Sequence, residues 1–294
     1  MSDLDFSSTT PGKPLATPAA PPPPPVYNAA MAMEFFKSAG KPESFEQGAT
    51  IFAESERSSR LLLKRDKMYV LILGEVNMVA QNKVIGTVRA GEIFGEMAVI
   101  AQAARTATAV AKSNCTVIGL DDKQFQQALQ QKPEFALMMM SVMNHRLRST
   151  IARLRASGAL HGEVTTESGV FDKKLLAGLV RLMGDQPPQE YGAGKSVMQE
   201  GTAGAFMYVV LEGRLAISIK GGVVGRVGAG GMFGEMALVD QSVRAASAAA
   251  EIDSKLIAIN RNTFLQLVKT SPAFGASLLA GLAERAKNMA ARGK

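Results

Sequence analysis

Apolar residues are spaced along this chain in two different ways. From Met68 they fall in short runs rich in Val and Ile and set apart by glycines, VLILG, VNMVA, KVIGTV, TATAVA and CTVIGL. Runs of that length with glycine between them predict short strands joined by tight turns, as in a small antiparallel barrel or jelly roll. After Asp121 the glycines stop, and DKQFQQALQQKPEFALMMMSVMNHRLRSTIARLRASG takes on helical spacing. It predicts two helices, the first capped by Asp121 or Asp122 and the second ended by Gly158. AAMAMEFFKSAG and FDKKLLAGLVRLMG have the same spacing, and each leads into a strand-rich region of its own.

That order of strands and helices is written twice. FGEMAVIAQAARTATA, from Phe94 to Ala109, and FGEMALVDQSVRAASA, from Phe233 to Ala248, agree at nine of 16 positions. Pairing Met68 with Met207 holds register without a gap to about Leu147: Gly74, Gly86, Gly91 and Gly95 face Gly213, Gly225, Gly230 and Gly234, and Phe125, Pro133 and Phe135 face Phe264, Pro272 and Phe274. The repeat is far longer than the roughly 20 to 50 residues of solenoid units, so the chain carries a duplicated domain. The expected fold is mainly β with flanking helices: two tandem β jelly rolls, each with an N-terminal helix and C-terminal helices. The expected division is a Pro-rich tail over residues 1–27, whose composition leaves little to bury, a first domain over 28–157, a linker over 158–168 and a second domain over 169–294.

The repeated peptide has a definite chemistry. GEIFGEMAVI and GGMFGEMALV pass from a Gly-rich turn into a strong helix former, and the amides that begin such a helix lack intrahelical acceptors and attract anions. Glu96 and Glu235 at the same turn suit sugar hydroxyls, while Arg105 and Arg244, nine residues later, suit a phosphate held by a bidentate pair. Together they describe a site for a nucleotide whose sugar and phosphate lie close together.

This pattern resembles the phosphate-binding cassette of cyclic-nucleotide-binding domains, as found in protein kinase A regulatory subunits and the catabolite activator protein. The resemblance covers both copies almost end to end. It implies that Glu96 and Glu235 take the ribose 2′-hydroxyl, that Arg105 and Arg244 take the cyclic phosphate, and that Gly95, Met97 and Ala98, with Gly234, Met236 and Ala237, supply backbone. It also implies that a helix following each barrel covers the base. Thr106 follows Arg105 where Ala245 follows Arg244; a hydroxyl there reaches a phosphate oxygen or the amino group of a syn guanine, so the first site is expected to tolerate cGMP better. Thr150 stands where the catabolite activator's long helix sends a hydroxyl to adenine, and the same count in the second copy reaches Met289. Ala104 and Val243 replace the Pro that often precedes the Arg. The first copy also departs by a longer hairpin, SERSSRLLLKRDK, and by having Ser55 where Gly201 follows Glu200.

Composition narrows the partners. The 33 Lys and Arg outnumber the 26 Asp and Glu, a net charge of +7 that suits phosphate-bearing ligands. Cys115 is the only cysteine, no stretch approaches the roughly 20 apolar residues of a membrane span, and no leader precedes the tail, so a cytoplasmic location is expected. YGAGKS and GAGGMFG each miss a glycine of the phosphate-loop and dinucleotide patterns, and His145 and His161 have no ligand partners at metal spacing. No catalytic, metal or cofactor site is therefore expected; the ligand is cAMP or cGMP. Met140, Met143, Leu147, Thr150 and Leu154 follow a heptad rhythm, which fits a homodimer seam on the helix at 134–157 and equally fits packing within the chain. The function expected is a cyclic-nucleotide sensor that relays binding to an unidentified protein effector. The alternative is a DNA-associated regulator using the basic face of NHRLRSTIARLR without a helix-turn-helix.

Overall fold

A computed structural model of the protein describes residues 27–56, 66–102, 104–156, 169–184, 186–240 and 243–291, with backbone alone at 146, 148–156, 237, 240 and 286–291. The first half runs α1 (Ala29–Lys37), β1 (Pro42–Phe45), β2 (Thr50–Phe52), β3 (Lys67–Leu73), β4 (Glu75–Ala80), β5 (Lys83–Arg89), β6 (Ile93–Phe94), α2 (Glu96–Ile100), β7 (Thr108–Ala111), β8 (Cys115–Asp121), α3 (Asp122–Gln131) and α4 (Glu134–Ala156). The second repeats it as α5 (Lys173–Met183), β9 (Gln189–Tyr191), β10 (Ser196–Met198), β11 (Phe206–Glu212), β12 (Arg214–Ile219), β13 (Gly222–Gly228), β14 (Met232–Phe233), α6 (Glu235–Asp240), β15 (Ser247–Ala250), β16 (Ser254–Asn260), α7 (Arg261–Thr270) and α8 (Pro272–Ala291).

Each half folds as two facing antiparallel sheets. Their strand orders correspond one for one: β1-β8-β3-β6 with β2-β7-β4-β5, and β9-β16-β11-β14 with β10-β15-β12-β13. The mainly β, jelly-roll expectation is met. Gly74 and Gly213 turn β3 into β4 and β11 into β12 with φ of 93° in both copies, and a Cβ at Gly74 would press on the Asn114 carbonyl, so no other residue fits. Asp121 caps α3, accepting from the Gln124 amide while the Gln124 side chain accepts from its own, and Asn260 caps α7 in the same place.

An ion pair links equivalent positions of the two halves with its charges exchanged. Lys112 donates to Glu75 at 2.7 Å in the first half. In the second, Glu251 accepts from Arg214 at 2.7 Å and also from Arg226 at 2.8 Å. The hydrogen bond from Lys112 draws Glu75 below the usual carboxylate range. Burial pushes Glu251 upward, but the two guanidiniums outweigh it and leave it lowered as well.

Helices join the halves into one continuous apolar core. Phe35 stacks on Phe135 at 3.6 Å between ring centres, Phe171 stacks on Phe274 at 5.2 Å, and both groups belong to the same cluster of buried side chains. α4 runs along α8 and onto α6, while α8 lies against α2 and α3, so each half's last helix covers the other half's short helix. Met140, Met143 and Leu147 are buried in this packing. The heptad stripe is thus covered within one chain, which removes these three residues from any seam between copies; the side chains of Thr150 and Leu154 lie outside the described residues. Asn144, 1% exposed on the same helix, has no hydrogen-bond partner among the described residues for either side-chain polar atom. Among the described residues, no helix is long and apolar enough to cross a membrane.

Candidate functional site

In both copies the segment leading from the cassette to the next strand is clamped at its Arg by the turn that follows β2 or β10. The Ser55 amide donates to the Arg105 carbonyl at 2.9 Å and the Arg105 amide to the Glu56 carbonyl at 3.0 Å. Gly201 and Thr202 make the same two bonds with Arg244, at 2.9 and 2.8 Å. Ser55 adopts φ 63° where Gly201 has 81°, so the missing glycine of the first copy leaves the turn intact at the cost of a strained serine.

The clamp aims each guanidinium inward. Arg105, 6% exposed, donates from Nη1 to the Gly95 carbonyl and from Nη2 to the Lys67 carbonyl, both at 2.7 Å. It lies 4.0 Å over the Phe52 ring, with its Nε 3.6 Å from an Asp66 oxygen. Arg244, 5% exposed, donates to the Gly234 carbonyl at 2.9 Å and sits 5.8 Å from the centre of the Tyr208 ring. Gly204 presses on its other side, since a Cβ there would collide with the guanidinium. Ala205 occupies the position equivalent to Asp66, and among the described residues Arg244 commits fewer of its donors than Arg105 does. Burial lowers the pKa of both guanidiniums; Asp66 opposes this most at Arg105, and Tyr208 most at Arg244. A desolvated cation of this kind gains strongly from an anion brought beside it.

Gly95 and Gly234 carry the left-handed backbone, φ 70° and 77°, that swings β6 into α2 and β14 into α6. A Cβ at either would touch the Arg guanidinium, so both the turn and the close approach require glycine. Glu96 is half-buried at the head of α2, near enough for its charge to act on Arg105. Met97 and Met236 are half-buried, Ala98 is buried, and Ala237 is described by its backbone alone. Thr106 is exposed beyond Arg105 and Ala245 is half-buried beyond Arg244. Thr150 and Met289 lie on α4 and α8 with side chains outside the described residues.

Glu235 has a partner that spacing did not suggest. It is 2% exposed and accepts from Arg285 Nη1 at 2.9 Å, while Arg285 Nη2 donates to the Met232 carbonyl at 2.7 Å. Arg285 belongs to α8, so the carboxylate expected for a ribose is tied to the helix that spans the two halves. Its register equivalent in α4 is Arg146, which the sequence shows in the same place and whose side chain lies outside the described residues. Nor does the repeat pattern single out Phe52, Tyr208, Gly204 or Asp66, each of which meets one of the two guanidiniums.

The cyclic nucleotide-binding domain family matches residues 42–132 and 188–271, together more than half of the chain. The chain is 25% identical over 209 residues to a cAMP-dependent protein kinase regulatory subunit of Eremothecium gossypii, covering 69% of this chain and 40% of that protein. It is 25% identical over 234 residues to a cGMP-dependent protein kinase of Eimeria tenella, covering 79% of this chain and 20% of that one. It therefore spans less than half the length of these relatives. Among solved structures, the regulatory domain of Toxoplasma gondii PKA with cAMP is similar at 20% identity and a TM-score of 0.30, with 86% of this chain and 93% of that one covered. Two copies of the cassette, each built around a buried Arg and a left-handed Gly, and two family matches spanning those copies lead to one assignment: the chain belongs to the cyclic nucleotide-binding domain family.

Proposed function

We propose that the protein is a cytosolic sensor that binds a cyclic nucleotide, cAMP or cGMP, at both cassettes and passes the event to a partner protein. The observation that carries this reading is the pair of buried guanidiniums, Arg105 and Arg244, each held against the carbonyl of a left-handed glycine at the head of a short helix. In the proposed complex these guanidiniums take the phosphate, assisted by backbone of Gly95, Met97 and Ala98 and of Gly234, Met236 and Ala237. Glu96 and Glu235 take the ribose.

The relay is proposed to run through α8. A ribose hydroxyl arriving at Glu235 competes with Arg285, and freeing Arg285 loosens a helix that also lies against α2, α3 and α4. The relatives above are a kinase regulatory subunit and a kinase, which supports a protein kinase as the class of partner. Calorimetry tests the binding half of this proposal. Wild-type protein is expected to take up two equivalents of cAMP or cGMP, and Arg105→Ala and Arg244→Ala each one, because removing one member of a buried charge contact costs about 2 to 5 kcal/mol, more than tenfold in affinity. Heat of binding absent for both nucleotides would overturn it. Co-purification with and without nucleotide tests the partner.

A further inference from the structure

The two halves differ sharply at one junction. Where α8 crosses α2 and α3 it leaves a cleft of about 390 Å³, floored by Val99, Ile100, Phe125 and Val170. The register of the repeat explains why. Ala276, Ser277, Ala280 and Gly281 on α8 stand where α4 has Leu137, Met138, Ser141 and Val142. On α4 Leu137 and Met138 are buried in the core that includes Leu238 and Val239 of α6. The corresponding space beside Val99 and Ile100 is left open because its side chains have been shortened. Gly281 has a further reason to be small: Val170 packs directly against its backbone.

The rim of the cleft is acidic on a chain of net charge +7. Asp122 and Glu284 line it with Gln102, Gln126 and Ser277, and among the described residues no Lys, Arg or His does. Asp122 is held by the Gln126 amide at 3.3 and 3.4 Å, long for a charged acceptor. The second half again differs: Arg261 stands in place of Asp122 and donates to the Val239 carbonyl at the end of α6. An apolar floor of this volume, within the range of roughly 300 to 1,000 Å³ typical of small-molecule sites, under a rim of two carboxylates selects a ligand with an apolar body and a positive head.

We propose that this cleft, behind the short helix of the first cassette and distinct from both Arg and Glu sites, is a binding site for a small amphipathic organic cation. Benzylamine and its neutral counterpart benzyl alcohol are suitable probes, with the full chain followed by the methyl resonances of Val99, Ile100 and Val170. Benzylamine is expected to shift these resonances saturably, with benzyl alcohol binding at least about tenfold more weakly. Ala276→Leu with Ser277→Met, which restores the residues α4 uses, is expected to abolish the shifts. Asp122→Asn with Glu284→Gln, both on the exposed rim, is expected to weaken benzylamine by about tenfold or more and leave benzyl alcohol unchanged. A cAMP titration of each sample separates the two proposals, since the variants leave Glu96, Arg105, Glu235 and Arg244 in place. Absence of shifts at these methyls, equal binding of the two probes, or benzylamine binding unaltered in both variants would each overturn the site.

Discussion

At the scale of single residues, the carboxylate of the second cassette is tied to α8 of its own chain. The Glu235 to Arg285 contact joins a buried carboxylate to a partly exposed guanidinium, and cutting it by Arg285→Ala leaves the carboxylate without its cation. A loss of about 3 kcal/mol of stability is expected, read as a fall in the midpoint of urea unfolding. Saturating cAMP is expected to recover part of it by supplying hydroxyl donors to Glu235, so the gap between variant and wild type narrows with ligand. The spacing of Gly95, Glu96 and Arg105, and of their second-copy equivalents, was legible because the whole cassette is local and the turn constrains its residue types. Arg285 was not, since it meets Glu235 only after a helix far along the chain returns, and no local pattern fixes which face of that helix points home. The aromatic platforms under the two Arg residues were hidden for the same reason: Phe52 and Tyr208 lie on different strands of their barrels and look like ordinary core.

At the scale of elements, the two long helices are unequal partners. Asn144 is buried on α4 with neither amide atom paired among the described residues, whereas α8 has Ala283 in the same register position. Asn144→Leu keeps the branched shape and removes two unsatisfied groups, so a gain of about 1 to 3 kcal/mol is expected, measured by denaturant titration. The stripe of Met140, Met143 and Leu147 was readable as a seam, but a heptad rhythm is identical whether the opposing helix belongs to the same chain or to another. Its occupant here, α8, comes from the second half of the repeat, and that choice depends on how the two halves are joined rather than on the stripe itself. Strand limits were easier to read where a left-handed glycine marks the turn, as at Gly74, Gly91, Gly213 and Gly230, than at the β4–β5 turn, which uses Gln81 and Asn82.

For the molecule as a whole, covering each half's short helix with the other half's last helix makes the two halves a single mechanical unit. Leu147→Asp places a charge at a buried position of α4 and is expected to lower stability by several kcal/mol while light scattering still reports the mass of the wild-type particle. A halving of mass would instead identify Leu147 as a contact between chains. A duplicated chain also faces a hazard during folding that a single domain does not, because strands from the two copies are similar enough to pair with the wrong half. The reversed ion pair bears on that hazard. If β4 entered the second barrel, Glu75 would meet Glu251; if β12 entered the first, Arg214 would meet Lys112. Like charges at such cross-strand positions repel, so each exchanged arrangement is penalised while each correct one is favoured. Giving the first half the polarity of the second, with Glu75→Arg and Lys112→Glu, keeps an ion pair in the native fold but erases the distinction. Refolding from denaturant is then expected to return a smaller soluble fraction than wild type at equal native stability, so the exchanged charges act as an address that tells each strand which half it came from.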